Sequence, residues 1–157
     1  TLANLTLTPI PRWKIIVPKL LGAISVSTPM ITMSGVISGY LIYEGDVQAI
    51  ASLVIGAIVG VVLYSVVFTW LGLMTTKAIG FGLLYVFLWE VMLSEIVPGV
   101  RFLSLSYYSG SVMRAVDERR LVGEDMLSSG VAIGASVGVF VIFLLLSIRR
   151  LHRMDVP

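Results

Sequence analysis

Four long stretches of this 157-residue chain carry almost no charge, and that single feature leaves little choice of fold. They cover 15–43, 50–74, 78–97 and 126–148, each reaching the roughly 20 mostly apolar residues that a helix needs to cross a bilayer core. Turn or charge signals close them: Glu44-Gly45-Asp46, Thr75-Thr76-Lys77, Pro98-Gly99 and Arg149-Arg150. Within each stretch the apolar residues run on without polar alternation, a pattern suited to lipid rather than water. Composition points the same way, with 57% hydrophobic and 13% charged residues, where a soluble domain carries about one quarter charged. The expected fold is all-α, a polytopic membrane helix bundle. It has four transmembrane helices and a re-entrant or interfacial helical loop between the third and fourth.

Basic residues give the expected orientation, because Lys and Arg are retained on the cytoplasmic side. With four crossings, Arg12, Lys14, Lys19, Lys77, Arg149, Arg150 and Arg153 share one side. The other side receives Glu44 and Asp46, and Arg101, Arg114, Arg119 and Arg120 diluted among Glu95, Asp117, Glu118, Glu124 and Asp125. Residues 1–14 are therefore expected as a cytoplasmic interfacial segment and 149–157 as a cytoplasmic tail. Both termini face the cytoplasm in this multi-pass reading, and the membrane is a plasma or inner membrane. No basic start, short apolar core and small-residue cleavage site follow one another, so no cleavable secretory signal is expected. The net charge of +2 is small and scattered, which argues against a nucleic-acid partner. Without cysteine there is no disulfide, thiolate metal site or cysteine nucleophile.

Two regions depart from a plain hydrophobic crossing. The first stretch holds Pro18 and Pro29, each of which removes a backbone hydrogen bond, so it is expected to begin as an interfacial segment and to kink. The external loop 98–125 contains 100–116, which is too polar to cross and too apolar for a free linker. It reads as an interfacial element, with Tyr107 and Tyr108 expected at headgroup level. Asp117-Glu118-Arg119-Arg120 then returns the chain to water, most simply as a solvated, internally paired charge cluster.

Glycines four residues apart form three stripes: Gly35 and Gly39, Gly56 and Gly60, and Gly130, Gly134 and Gly138. Such stripes let another helix backbone approach closely, whether from this chain or a second copy. Gly134-Ala135-Ser136-Val137-Gly138 also matches the hydrolase nucleophile elbow, but that motif requires a strand-to-helix turn and a nearby histidine base. The only histidine, His152, lies on the tail, so helix packing is the expected role and no catalytic residue is assigned. Glu90 is the acid set inside a span, together with its neighbour Trp89. An ionised carboxylate there costs at least ~2.5 kcal/mol, so Glu90 should face protein, water or a partner. Two roles stand open for it, a hydrogen-bonded lock between helices and a direct part in transport. Asn4-Leu5-Thr6 matches a glycosylation acceptor but falls on the cytoplasmic side. No glycine is followed by lysine, which excludes a Walker-type nucleotide loop in this chain.

The stretch Leu83-Leu84-Tyr85-Val86-Phe87-Leu88-Trp89-Glu90, followed by Pro98-Gly99, Leu103-Ser104 and Tyr107-Tyr108, resembles the permease subunits of type-2, export-class ABC transporters. It is similar to their fifth helix and the re-entrant extracellular helices after it. Thr8-Pro9-Ile10-Pro11-Arg12-Trp13-Lys14 through Lys19-Leu20-Leu21 resembles the cytoplasmic segment leading into the third helix, where such permeases contact their ATPases. The exit Arg149-Arg150-Leu151-His152-Arg153-Met154-Asp155 is similar to the ending after the sixth. The family has six spans and a basic residue often stands where Thr8 is, whereas this chain matches only the last four spans. It is thus expected to be a fragment, a split half or a remodelled relative.

The resemblance implies a non-catalytic permease subunit of an ATP-driven exporter, with no cofactor in this chain and ATP and Mg on a partner ATPase. Its implied partners are a cytoplasmic ATP-binding subunit, a second permease copy or the missing permease half, and membrane lipid. Pro9, Ile10, Arg12 and Trp13 become candidate ATPase contacts, and Trp89 and Glu90 the transport or packing candidates. The alternative is a non-transporting structural or accessory subunit of a larger membrane complex.

Overall fold

The computed structural model describes residues 13–75, 77–88, 104–117 and 128–153, with backbone alone for Trp13, Ser129, His152 and Arg153. Every regular element among them is helical: α1 Trp13–Tyr43, α2 Val47–Met74, α3 Ala78–Leu84, α4 Leu105–Val116 and α5 Ser129–Arg153. A wider π-type turn over 85–88 continues α3. Three helices, α1, α2 and α5, are long and apolar enough to cross a membrane, while Ala78–Leu88 is a shorter apolar helix. The chain is an all-α bundle of membrane helices.

Local chemistry accounts for the boundaries. The turn from α1 to α2 is closed by the Asp46 N–H donating to the Tyr43 carbonyl at 2.9 Å. Glu44 and Gly45 lie between them at φ 51° and 86°, the positive pair of a type I′ turn. Asp46 then caps α2, its Oδ1 accepting from the backbone N–H groups of Gln48 at 3.1 Å and Ala49 at 3.5 Å. Ser104 caps α4 in the same way, accepting from the Tyr107 N–H at 3.4 Å. Helix α1 runs through Pro18 and Pro29 as one 31-residue helix. At the other end, α5 continues through Arg149 and Arg150 to Arg153, into the stretch read as a tail.

Helix α2 is the centre of the bundle, since α1, α3, α4 and α5 all pack on it. Leu20 of α1, Leu63, Val66 and Val67 of α2, and Leu105 of α4 form a buried cluster, with Phe140, Phe143 and Leu144 of α5 against it. Trp70 and Phe143 meet edge to face at 5.4 Å, adding an aromatic contact between α2 and α5. Outside this core the helices present Val26, Met30, Met33, Leu41, Val137 and Leu145 to the surroundings. In water such continuous apolar faces would drive aggregation; in a bilayer they are the solvent-facing surface. Of the hydroxyls buried in the bundle, Thr28 Oγ1 has no hydrogen-bond partner among the described residues, whereas the others are paired with their own helix. Ser52, Thr69, Ser111, Ser136 and Ser147 each donate to a carbonyl three or four residues back at 2.7–2.8 Å.

The short helix α4 falls where a re-entrant or interfacial helical loop is expected. Its C-terminal Val116 carbonyl accepts from Gln48 Nε2 at 3.3 Å, beside the α1–α2 turn. Its first residue, Leu105, sits in the buried cluster with Leu63, which lies roughly 24 Å along α2 from Val47 at 1.5 Å per residue. The helix therefore runs antiparallel to α2 inside the bundle, with its first turn in the buried cluster. Tyr108 packs against the same cluster. The reason is close packing: Gly56 and Gly60 leave α2 bare where Met113 and Ser109 of α4 approach.

Candidate functional site

Antiparallel packing of α1 on α2 sets the frame of the site. Gly39 lies against Ile50 and Leu53, and Gly35 against Val54, so this stripe is an α1–α2 contact. A methyl group built on Gly56 would meet Met113 Cβ at 2.9 Å and the Ser109 carbonyl oxygen at 3.1 Å. One built on Gly60 would stand 3.7 Å from Ser109 Cβ. The second stripe thus seats α4. Around Gly130, Gly134 and Gly138 nothing among the described residues lies within 4 Å of an added Cβ, and that face of α5 is uncovered.

Where α1, α2 and α4 diverge they leave an open groove of about 850 Å³. From α1 it is lined by Lys19, Ala23, Ser27 and Ile31, spaced four apart and so on one stripe. Helix α2 contributes a strip from Leu53 to Gly72, and α4 contributes Ser106, Ser109, Gly110 and Met113. Leu20 clusters with Val66 and Val67, which brings neighbouring Lys19 level with Ser65 and Thr69. That end of the groove is polar. The other end, at Ile31, Leu53, Ala57 and Met113, is apolar. A smaller hollow of about 410 Å³ between α2 and α3 is lined by apolar side chains with Thr75 and Tyr85, and carries no ionisable acid or amine.

The groove hydroxyls are held by their own backbone: Thr69 Oγ1 donates to the Ser65 carbonyl at 2.7 Å and Ser109 Oγ to the Ser106 carbonyl at 2.9 Å. Their oxygens keep acceptor lone pairs. What the site offers is one cationic head, a few hydroxyls and a long apolar wall. Among the described residues no three His, Cys, Asp or Glu side chains come together to hold a metal ion.

Charge is polarised along the bundle. Lys14 and Lys19 in the first turns of α1 and Lys77 after α2 stand at one end, and Glu44, Asp46 and Asp117 at the other, the last near Arg114. Of the residues singled out in the sequence, Trp89, Glu90, Pro9, Ile10 and Arg12 lie outside the described residues, and Trp13 opens α1 with its side chain undescribed. Apart from Gly56 and Gly60, expected there as helix-packing positions, the groove residues carry no expectation from the sequence. Their signal was present in the serine-rich run 104–111 and in the lysine and serine interrupting the apolar stripe of α1.

Comparison with known proteins finds no matching family model, no matching curated protein and no matching solved structure.

Proposed function

We infer that this chain is the membrane-spanning permease subunit of an ATP-driven ABC exporter. It forms the translocation path with a second permease copy and is driven by separate cytoplasmic ATP-binding subunits that carry the ATP and Mg. The observation that carries this reading is α4, a short capped helix set back into the bundle between the apolar helix Ala78–Leu88 and the last long helix. A helix returning into the membrane at that point of the chain is what the resemblance to type-2 export permeases implies. The basic end of the bundle supports it further, since the positive-inside rule turns Lys14, Lys19 and Lys77 to the cytoplasm, where an ATPase docks. In this reading both termini are cytoplasmic, the membrane is a plasma or inner membrane, and Pro9, Ile10, Arg12 and Trp13 meet the ATPase. Trp89 and Glu90 serve the path or lock its helices.

A second reading, a non-transporting accessory subunit, is favoured by the uncovered glycine face of α5 and the bare outer face of α1, which suit lateral contact with other membrane helices. Purification in mild detergent separates the two. The exporter reading expects an ATP-binding subunit to co-purify and vanadate-sensitive ATP hydrolysis to appear in the complex. Stable association with other membrane proteins and no ATPase would overturn it in favour of the accessory role.

A further inference from the structure

We propose that the groove between α1, α2 and α4 is a binding site for a bilayer lipid with an anionic headgroup, which sits at Lys19 while one acyl chain lies along the groove towards Met113. The polarity of the lining has the same order as an amphiphile. At one end are the Lys19 ammonium and the Ser65 and Thr69 oxygens; at the other are Ile31, Leu53, Ala57 and Met113, and between them Ser27, Ser106 and Ser109 add hydroxyls to an otherwise apolar wall. The axis between these ends lies along the helices, as a lipid lies in its leaflet. Lys19 to Ile31 is roughly 18 Å at 1.5 Å per residue, more than half of the ~30 Å hydrocarbon core and so about the depth of one leaflet.

The glycines explain why there is room. Gly56 and Gly60 bring α4 against α2, and Gly60 and Gly72 present no side chain towards the space beside it. The cation selects the headgroup. Lys19 is exposed at the basic end of the bundle, where a lysine attracts anionic lipid more strongly than zwitterionic lipid. This site goes beyond the exporter reading and does not rest on it.

The test uses the full chain in nanodiscs of phosphatidylcholine. A trace of phosphatidylglycerol or phosphatidylcholine carries a photoactivatable diazirine on one acyl chain, and labelled residues are mapped by mass spectrometry. Phosphatidylglycerol should label Ile31, Ala57 and Val61 about fivefold more than phosphatidylcholine, the factor expected of one lysine at the headgroup. Lys19→Gln, at an exposed position, should leave the thermal transition unchanged and bring both lipids to the same yield. Ala57→Phe should suppress labelling at Val61 from either lipid. Three results would overturn the proposal: equal yields from the two lipids in the unmodified chain, labelling of Val26 and Met33 on the outer face of α1 as dense as in the groove, or exclusion of lipid from the groove by a second copy of the chain.

Discussion

At the scale of single residues, the two glycines of one stripe are not equivalent. Gly56→Ala places a methyl group 2.9 Å from Met113 Cβ, an atom fixed to the α4 backbone, so the helices must separate. A loss of about 1–3 kcal/mol is expected, the usual cost of overpacking. Gly60→Ala meets Ser109 Cβ at 3.7 Å, an ordinary contact, and should be tolerated. Thermal unfolding of both variants in detergent checks the contrast, and equal transitions would show that α4 is not seated there. Asp46 acts locally in another way, by accepting from two backbone N–H groups at the start of α2. Asp46→Ala should cost about 1 kcal/mol, whereas Asp46→Asn, which retains the accepting oxygen, should lose much less. Of these residues the cap and the turn were legible in Glu44-Gly45-Asp46, because turn and cap chemistry act over three or four positions. The difference between Gly56 and Gly60 was not, because it depends on which atoms of a distant helix lie opposite.

At the scale of elements, the long helices follow from continuous apolar runs. The position of α4 does not follow in that way. Its mixed composition fitted a helix lying flat at the interface as well as one inserted into the bundle, and Tyr107 and Tyr108 suited either. Contact with α2 decided it. The chain has no cysteine, so a designed pair tests this directly. A Cβ on Gly60 would lie 3.7 Å from Ser109 Cβ, inside the roughly 3.5–4.5 Å separation of a disulfide. Gly60→Cys with Ser109→Cys should oxidise to an intramolecular bond in membranes, seen as a change in protease fragment pattern on non-reducing gels. Failure to close, with both thiols still reactive after unfolding, would place α4 away from α2.

At the scale of the whole molecule, charge and burial are arranged along two different directions. Charge changes along the helix axes, from Lys14, Lys19 and Lys77 to Glu44, Asp46 and Asp117, which is the direction of a membrane normal. Burial changes across them, from the cluster around Leu63 and Val66 to the open faces of α1 and α5. The first direction predicts topology. In sealed cells a thiol from Glu44→Cys, a position already held by a non-glycine residue at positive φ, should react with an impermeant maleimide from outside. Lys77→Cys should react only after the membrane is opened. The reverse pattern would invert the molecule and remove the cytoplasmic docking end from the proposed function.

What the sequence by itself determined was the class of solvent and the elements suited to it: long apolar helices, the tight turn at Glu44-Gly45 and the separation of basic from acidic ends. These depend on composition, local backbone chemistry and the cost of charge in lipid, all of which act within a short length of chain. Tertiary structure decided which glycines touch a neighbour, how deep α4 enters and where the groove opens. In a soluble protein hydrophobic periodicity would have separated the inner face of each helix from the outer one. Helix α2 is apolar on nearly every side, and lipid solvates leucine and valine as well as protein does, so that contrast is lost. Only the fit of particular side chains, Met113 and Ser109 against Gly56 and Gly60, could choose between faces that the sequence leaves alike.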